Sequence, residues 1–146
     1  MTVHMVKMAV GVESVAHLLE LQTLRRRNAG SGGGFGELRN MTRNAPRRRD
    51  ELVDGGSIYW VIKRFIRVRQ QILDLDLDAV RDDGRPACAL ILDPHLQRTE
   101  LRASRAFQGW RYLPPATAPA DARYDTAQFD DVPAEMVAEL RSLGLL

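Results

Sequence analysis

Apolar and polar side chains alternate at the start of the chain. His4, Val6, Met8 and Val10 fall on one face of an extended segment, and Met5, Lys7 and Ala9 on the other. Period two predicts a first strand over residues 3–10. The period then changes. Val15, Leu18, Leu19, Leu21 and Leu24 recur at helical spacing behind Ser14, a residue type that caps helix N-termini, and the stripe closes on Arg25-Arg26-Arg27, where cations suit the negative end of the helix dipole. Leu38 to Arg43 reads as a second short strand, and Pro46 to Val53 as a short helix stopped by Asp54-Gly55-Gly56.

Residues 57–75 fit two templates. Ile58, Val61, Ile62, Phe65, Ile66, Ile72 and Leu73 share a helical face on which Arg69 intrudes, whereas Ile58, Trp60, Ile62, Ile66, Val68 and Ile72 share a strand face on which Arg64 and Gln70 intrude. Nine of the fifteen residues from 58 to 72 are β-branched or aromatic, which favours strands. One strand over the whole segment would run about 60 Å, too long for a small domain. A hairpin, Ile58–Ile62 and Phe65–Leu73 turning at Lys63-Arg64, is therefore the expectation, with one amphipathic helix as the alternative. Beyond Asp82-Asp83-Gly84-Arg85-Pro86, a turn by composition, Ala87–Leu92 reads as a buried strand, followed by strands over Leu96–Ala103 and Phe107–Leu113. Gly109 marks a bulge or close approach in the last of these. Pro133, Met136, Val137, Leu140, Leu143 and Gly144 predict a closing helix. The fold class expected is α+β: a mainly antiparallel, strongly curved sheet or small barrel flanked by two or three helices, forming one domain over 1–146 with a flexible glycine-rich loop at about 29–36.

The chain has 146 residues, 45% hydrophobic and 27% charged, which excludes a disordered polymer. No apolar run approaches the roughly 20 residues of a membrane span, and no secretory leader or membrane partner is expected. The single cysteine, Cys88, permits no internal disulfide and suggests a reducing cytoplasm. Net charge is only +2, but of 21 basic residues all except Lys7 and Lys63 are arginines. Residues 1–75 carry 13 basic and 7 acidic side chains, a net +6, and residues 76–146 carry 8 and 12, a net −4. Codon bias explains the preference for arginine over lysine. It does not explain the separation of cations from acids.

Arginine forks meet phosphate oxygens bidentately, and Phe107-Gln108-Gly109-Trp110-Arg111-Tyr112 interleaves aromatics with polar groups as base-stacking surfaces do. A non-catalytic module for RNA or another phosphate-bearing ligand is the leading expectation. In it Arg43, Arg47, Arg48, Lys63, Arg64, Arg67 and Arg69 grip phosphate while Trp110 and Arg111 contact a base. The rival is a small enzyme on a nucleotide-like or anionic metabolite, with Asp54, Tyr59, Lys63, Arg69 and Asp93 lining a pocket. No cofactor or metal is expected. Residues 30–36 fit neither the dinucleotide nor the Walker glycine pattern, and His4, His17, His95 and Cys88 lack zinc-ligand spacing. Asp74, Asp76 and Asp78 open like a calcium loop, but Ala79 and Arg85 stand where glycine and glutamate are required. Cys88 reads as a small buried apolar residue rather than a nucleophile.

Several of these blocks together resemble a bacterial family of uncharacterised proteins, a domain of unknown function. They are His4-Met5-Val6-Lys7-Met8-Ala9-Val10-Gly11, Asp54-Gly55-Gly56-Ser57-Ile58-Tyr59-Trp60-Val61-Ile62-Lys63, Arg69-Gln70, Leu92-Asp93-Pro94 and Phe107-Gln108-Gly109-Trp110-Arg111-Tyr112-Leu113. The likeness runs from Val3 to about Asp121, and it implies no activity. It also implies glycine at the position of Arg64, a residue that would favour the hairpin turn. At fold level alone, a helix, then Gly-Gly, then an apolar hairpin and further strands is similar to the small PUA-like barrels, many of which bind RNA.

Overall fold

A computed structural model describes residues 1–30, 36–123, 133, 135, 136, 139, 142 and 143. Its elements in chain order are β1 (His4–Met8), α1 (Val15–Ala29), β2 (Leu38–Thr42), α2 (Arg49–Val53), β3 (Ser57–Ile62), β4 (Phe65–Val80), β5 (Pro86–Leu92), β6 (Gln97–Ala103) and β7 (Trp110–Leu113). The strands make one mixed, open sheet in the order β2-β5-β4-β3-β1-β7, with β6 also paired to β4. Among the described residues only β1 and β3 run parallel, and the other ladders are antiparallel. This is an α+β fold with a curved sheet. No ladder joins β2 to β7 among the described residues, so the sheet does not close as a barrel.

The long strand β4 shapes everything else. Its first half pairs with β3 and β6, its second half with β5. Register shifts at Ile72/Asp74 and Asp76/Ala79 bend and twist it, as bulges do. The bend carries β5 and β2 back toward β1, near enough for the Lys7 ammonium to reach β2.

One face of the sheet buries Val3, Met5, Ile58, Trp60, Ile62, Val68, Ile72, Leu75, Cys88, Leu90 and Leu92 under Val15 and Leu18 of α1 and Leu52 of α2. The other face buries Val6, Tyr59, Val61 and Ile66 beneath Met8, Phe107, Leu113 and Ala118. All six residues of β3 are therefore buried, which is why its sequence shows no clean alternation.

The hairpin forms where expected. Lys63 and Arg64 are its two turn residues, with φ of 50° and 68°. Its second strand continues to Val80 rather than stopping at Leu73. Ser14 caps α1, its hydroxyl accepting from the His17 N–H at 3.0 Å. The buried face of α1 is Val15, Leu18 and Gln22, whereas Leu19 and Leu24 are exposed. The leucine stripe is corrected accordingly, because a buried polar partner for Gln22 turns the helix. The short helix starts at Arg49 rather than Pro46, and the last strand at Trp110 rather than Phe107, since Gly109 at φ 73° breaks the extended run before it. Asp74 and Asp76, on the second half of β4, pair with Arg49 and Arg39. Residues 31–35 of the glycine-rich loop, and Val137, Leu140 and Gly144 of the expected closing helix, lie outside the described residues. Among the described residues no helix is long and apolar enough to cross a membrane.

Candidate functional site

Strand alternation turns Lys7 to the same face as Met5 and Ala9, the face covered by α1. In register across three strands, Lys7 stands between Trp60 of β3 and Trp110 of β7. Its ammonium donates to Asn40 Oδ1 at 2.6 Å and to the Met41 carbonyl at 3.1 Å, closing the gap between β1 and β2. No carboxylate pairs with it among the described residues. Burial first, and then the nearby Arg25 guanidinium, pull its pKa below the ordinary lysine value.

Lys7 lines two hollows. The smaller, about 190 Å³, is bounded by Arg25, Asn40, residues 8–10 and Val12, and it is floored by buried Leu18, Gln22 and Trp60. The larger, about 580 Å³, is lined by Met41, Thr42, Arg43, Asn44, Gln108, Gly109 and Trp110. Trp110 is fixed in its wall. Its indole N–H donates to the Asn44 carbonyl at 3.1 Å, and its ring meets Tyr112 edge-on at 4.9 Å. Tyr112 in turn accepts the Arg48 backbone N–H at 3.0 Å, tying the segment before α2 to β7.

The expected phosphate-binding residues divide. Arg43 and Trp110 line the larger hollow, and Arg47 is exposed on the loop that follows. Arg48 grips Glu51 at 2.5 and 2.9 Å and lies over the Tyr112 ring. Lys63 and Arg64 occupy the hairpin tip, 3.4 Å from Glu13 and 4.0 Å from Glu135. Arg67 is buried and donates to the Ile62 carbonyl at 2.7 Å. Arg69 holds Asp121 through two bonds of 2.7 and 2.9 Å and reaches Ser57 Oγ at 3.1 Å. Arg111 points to the opposite face from Trp110 and stacks over Phe107 at 4.8 Å. Among the described residues, Arg43 and Trp110 are the members of that set that line the larger hollow together.

The alternative enzymatic set does not gather round one point. Tyr59 and Arg69 are cross-strand partners, but Asp54 and Lys63 flank opposite ends of β3, a strand about 20 Å long. The marked carboxyl shifts run downward: hydrogen bonds from Arg48 and Arg69 stabilise the charged forms of Glu51 and Asp121, and the Asp78 N–H and Arg39 do so for Asp76. Cys88 is fully buried and its thiol is pushed up, first by burial and then by Asp76, as befits a core residue. Beside Tyr59 and Arg69, His4 Nδ1 accepts the Ser57 N–H at 2.9 Å, and its ring meets the Tyr59 ring edge-on at 5.2 Å.

Among the residues that line the two hollows, sequence reasoning missed Lys7, Arg25, Asn40 and Asn44, and it named Gln108 only within the aromatic tract 107–112. For Lys7 a signal existed: it is the one charged side chain on the inward face of β1.

No curated protein matches the chain, and no solved structure matches it. A family model described as a protein of unknown function, DUF1489, matches residues 5–146. That span is nearly the whole chain, and the chain belongs to this family of unknown function.

Proposed function

We propose that this chain is a non-catalytic module that binds RNA or another phosphate-bearing ligand in the cleft between β1, β2 and β7. One observation carries the reading. Lys7, Arg25 and Arg43 surround the cleft with no carboxylate partner among the described residues, while Arg39, Arg48, Arg49 and Arg69 elsewhere are held by acids. A half-buried ammonium without a counter-ion is costly, and an anion in the cleft offsets that cost. Trp110 supplies a fixed aromatic wall, and Asn44 and Gln108 supply amide groups suited to base edges. The lone thiol suggests that such a module works in the cytoplasm.

The test is titration with short single-stranded RNA at two salt concentrations, read by tryptophan fluorescence. Binding at low salt that weakens as salt rises is expected. K7Q and R43Q should weaken it, and R123Q, beside the Asp121–Thr99 bridge at β6, should not. No affinity at low salt would overturn the reading.

A further inference from the structure

We infer that the smaller hollow accepts a terminal phosphomonoester, so that the ligand is a nucleotide, free or at the end of a strand, with its base beside Trp110. The inference rests on the phosphate-binding reading above and adds what the cleft selects.

The first argument is shape. Lys7 lines both hollows, and the smaller, about 190 Å³ against about 580 Å³, is the tighter. It is backed by Leu18, Gln22 and Trp60, each at most 4% exposed. An internal phosphodiester carries a sugar on both sides and needs two ways out. A terminal phosphate needs one.

The second argument is charge and donors. A phosphomonoester carries nearly two negative charges at neutral pH, against one for a diester. Two cations, Lys7 and Arg25, line the smaller hollow, and among the described residues no acid does. Lys7 spends two of its three N–H donors on Asn40 and Met41, leaving the third. Asn40 accepts from Lys7 through Oδ1, which leaves its amide N–H groups to donate. Arg25 brings a guanidinium fork. The donors suit three phosphate oxygens.

The third argument is register. Trp110 lies directly opposite Lys7 across the β1–β7 ladder, and such partners hold their Cβ atoms about 5 Å apart. A phosphate at Lys7 therefore has the indole wall beside it, where the base of the same nucleotide falls.

The experiment compares one short RNA sequence in three forms, 5′-phosphorylated, 3′-phosphorylated and hydroxyl at both ends, with a free mononucleotide and inorganic phosphate as competitors. A phosphorylated end should bind about tenfold tighter than the hydroxyl form, the scale of one charge-assisted hydrogen bond. The preference should vanish in R25Q, whose exposed position on α1 leaves folding intact, and in K7Q where its melting temperature is kept. Competition by the mononucleotide points to a free nucleotide as ligand; competition by oligonucleotides alone points to a strand end. Equal affinity for all three forms, or a preference that survives R25Q, overturns the inference. If salt-dependent binding persists in the first case, the phosphate-binding reading stands; if no form binds, both fall.

Discussion

Gln22 of α1 and Gln70 of β4 exchange amide hydrogen bonds in both directions, each 2.8 Å long, in the interior of the protein. Gln70 also accepts the Trp60 indole N–H at 2.8 Å and donates to the Asp93 carbonyl at 3.1 Å. The contact docks α1 by hydrogen bonding in a place where helices ordinarily use leucines, and it fixes the floor of the smaller hollow. Q70L leaves the Trp60 N–H and the Gln22 amide without partners. At about 1–3 kcal/mol for each orphaned group, it should cost roughly 2–4 kcal/mol in urea unfolding. The double variant Q22L/Q70L should lose less than the sum of the two singles, because each single orphans the amide that the other removes. Strict additivity would show that the pair is not coupled.

Lys63 and Arg64 both adopt left-handed backbone to make a two-residue hairpin turn, with φ of 50° and 68°. A side chain in that region costs about 1–2 kcal/mol, and glycine escapes the cost while adding some disorder to the unfolded chain. Arg64 gains little in return, since its ion pair with Glu135 is 4.0 Å long and exposed. R64G should therefore raise stability by about 1 kcal/mol. A thermal melt reads this directly, and an unchanged or lower midpoint would show that the arginine holds the turn.

Composition located the β3–β4 hairpin, because β-branched and aromatic residues outweighed an undecided period. The period failed there for a physical reason: Tyr59 and Val61 face one core while Ile58, Trp60 and Ile62 face another. Helix α1 was legible as a helix but not in its facing, since the partner of Gln22 lies 48 residues away. The lining of the candidate site was legible in part. Arg43 and Trp110 are named from the sequence and line the larger hollow, but the arginines look alike in sequence, and which are neutralised depends on distant acids: Asp121 for Arg69, Asp74 for Arg49 and Asp76 for Arg39. The acidic second half supplies two of those three. The opening where Lys7 meets β2 depends on the bulges in β4, which no local pattern announces.

Gly56 ends the segment after α2 at the point where three strands converge. A Cβ added there would lie 2.3 Å from the Leu52 carbonyl oxygen and 2.4 Å from that of Val3. Both are backbone atoms, and neither swings aside. Moving them would strain the Gly56 N–H bond to Leu52 and the Ile72 N–H bond to Gly56, 3.0 and 2.9 Å long. G56A should thus destabilise by roughly 2–3 kcal/mol, the upper range for overpacking. Chemical unfolding measures it, and a loss below half of that would mean the backbone yields more easily than its hydrogen bonds imply.

His4 should make stability fall in mildly acid solution. Its Nδ1 accepts the Ser57 N–H, so the native state needs a neutral ring, and burial followed by the Arg69 charge lowers its pKa from 6.5. The unfolded chain, with the ordinary value, then binds more protons than the native one. Stability attributable to His4 is accordingly full above pH 6.5 and declines as pH drops from there through the lowered native value. Asp76 and Asp121, whose pKa values are depressed from 3.8, act in a separate and more acidic window. H4N places an amide oxygen where Nδ1 accepts, keeping the bond without the titration. Urea midpoints of the two proteins should therefore differ in slope as pH falls from 6.5 through the lowered native value, where the wild-type imidazole takes up a proton, and run parallel below it. Parallel profiles across that interval would remove His4 as the cause.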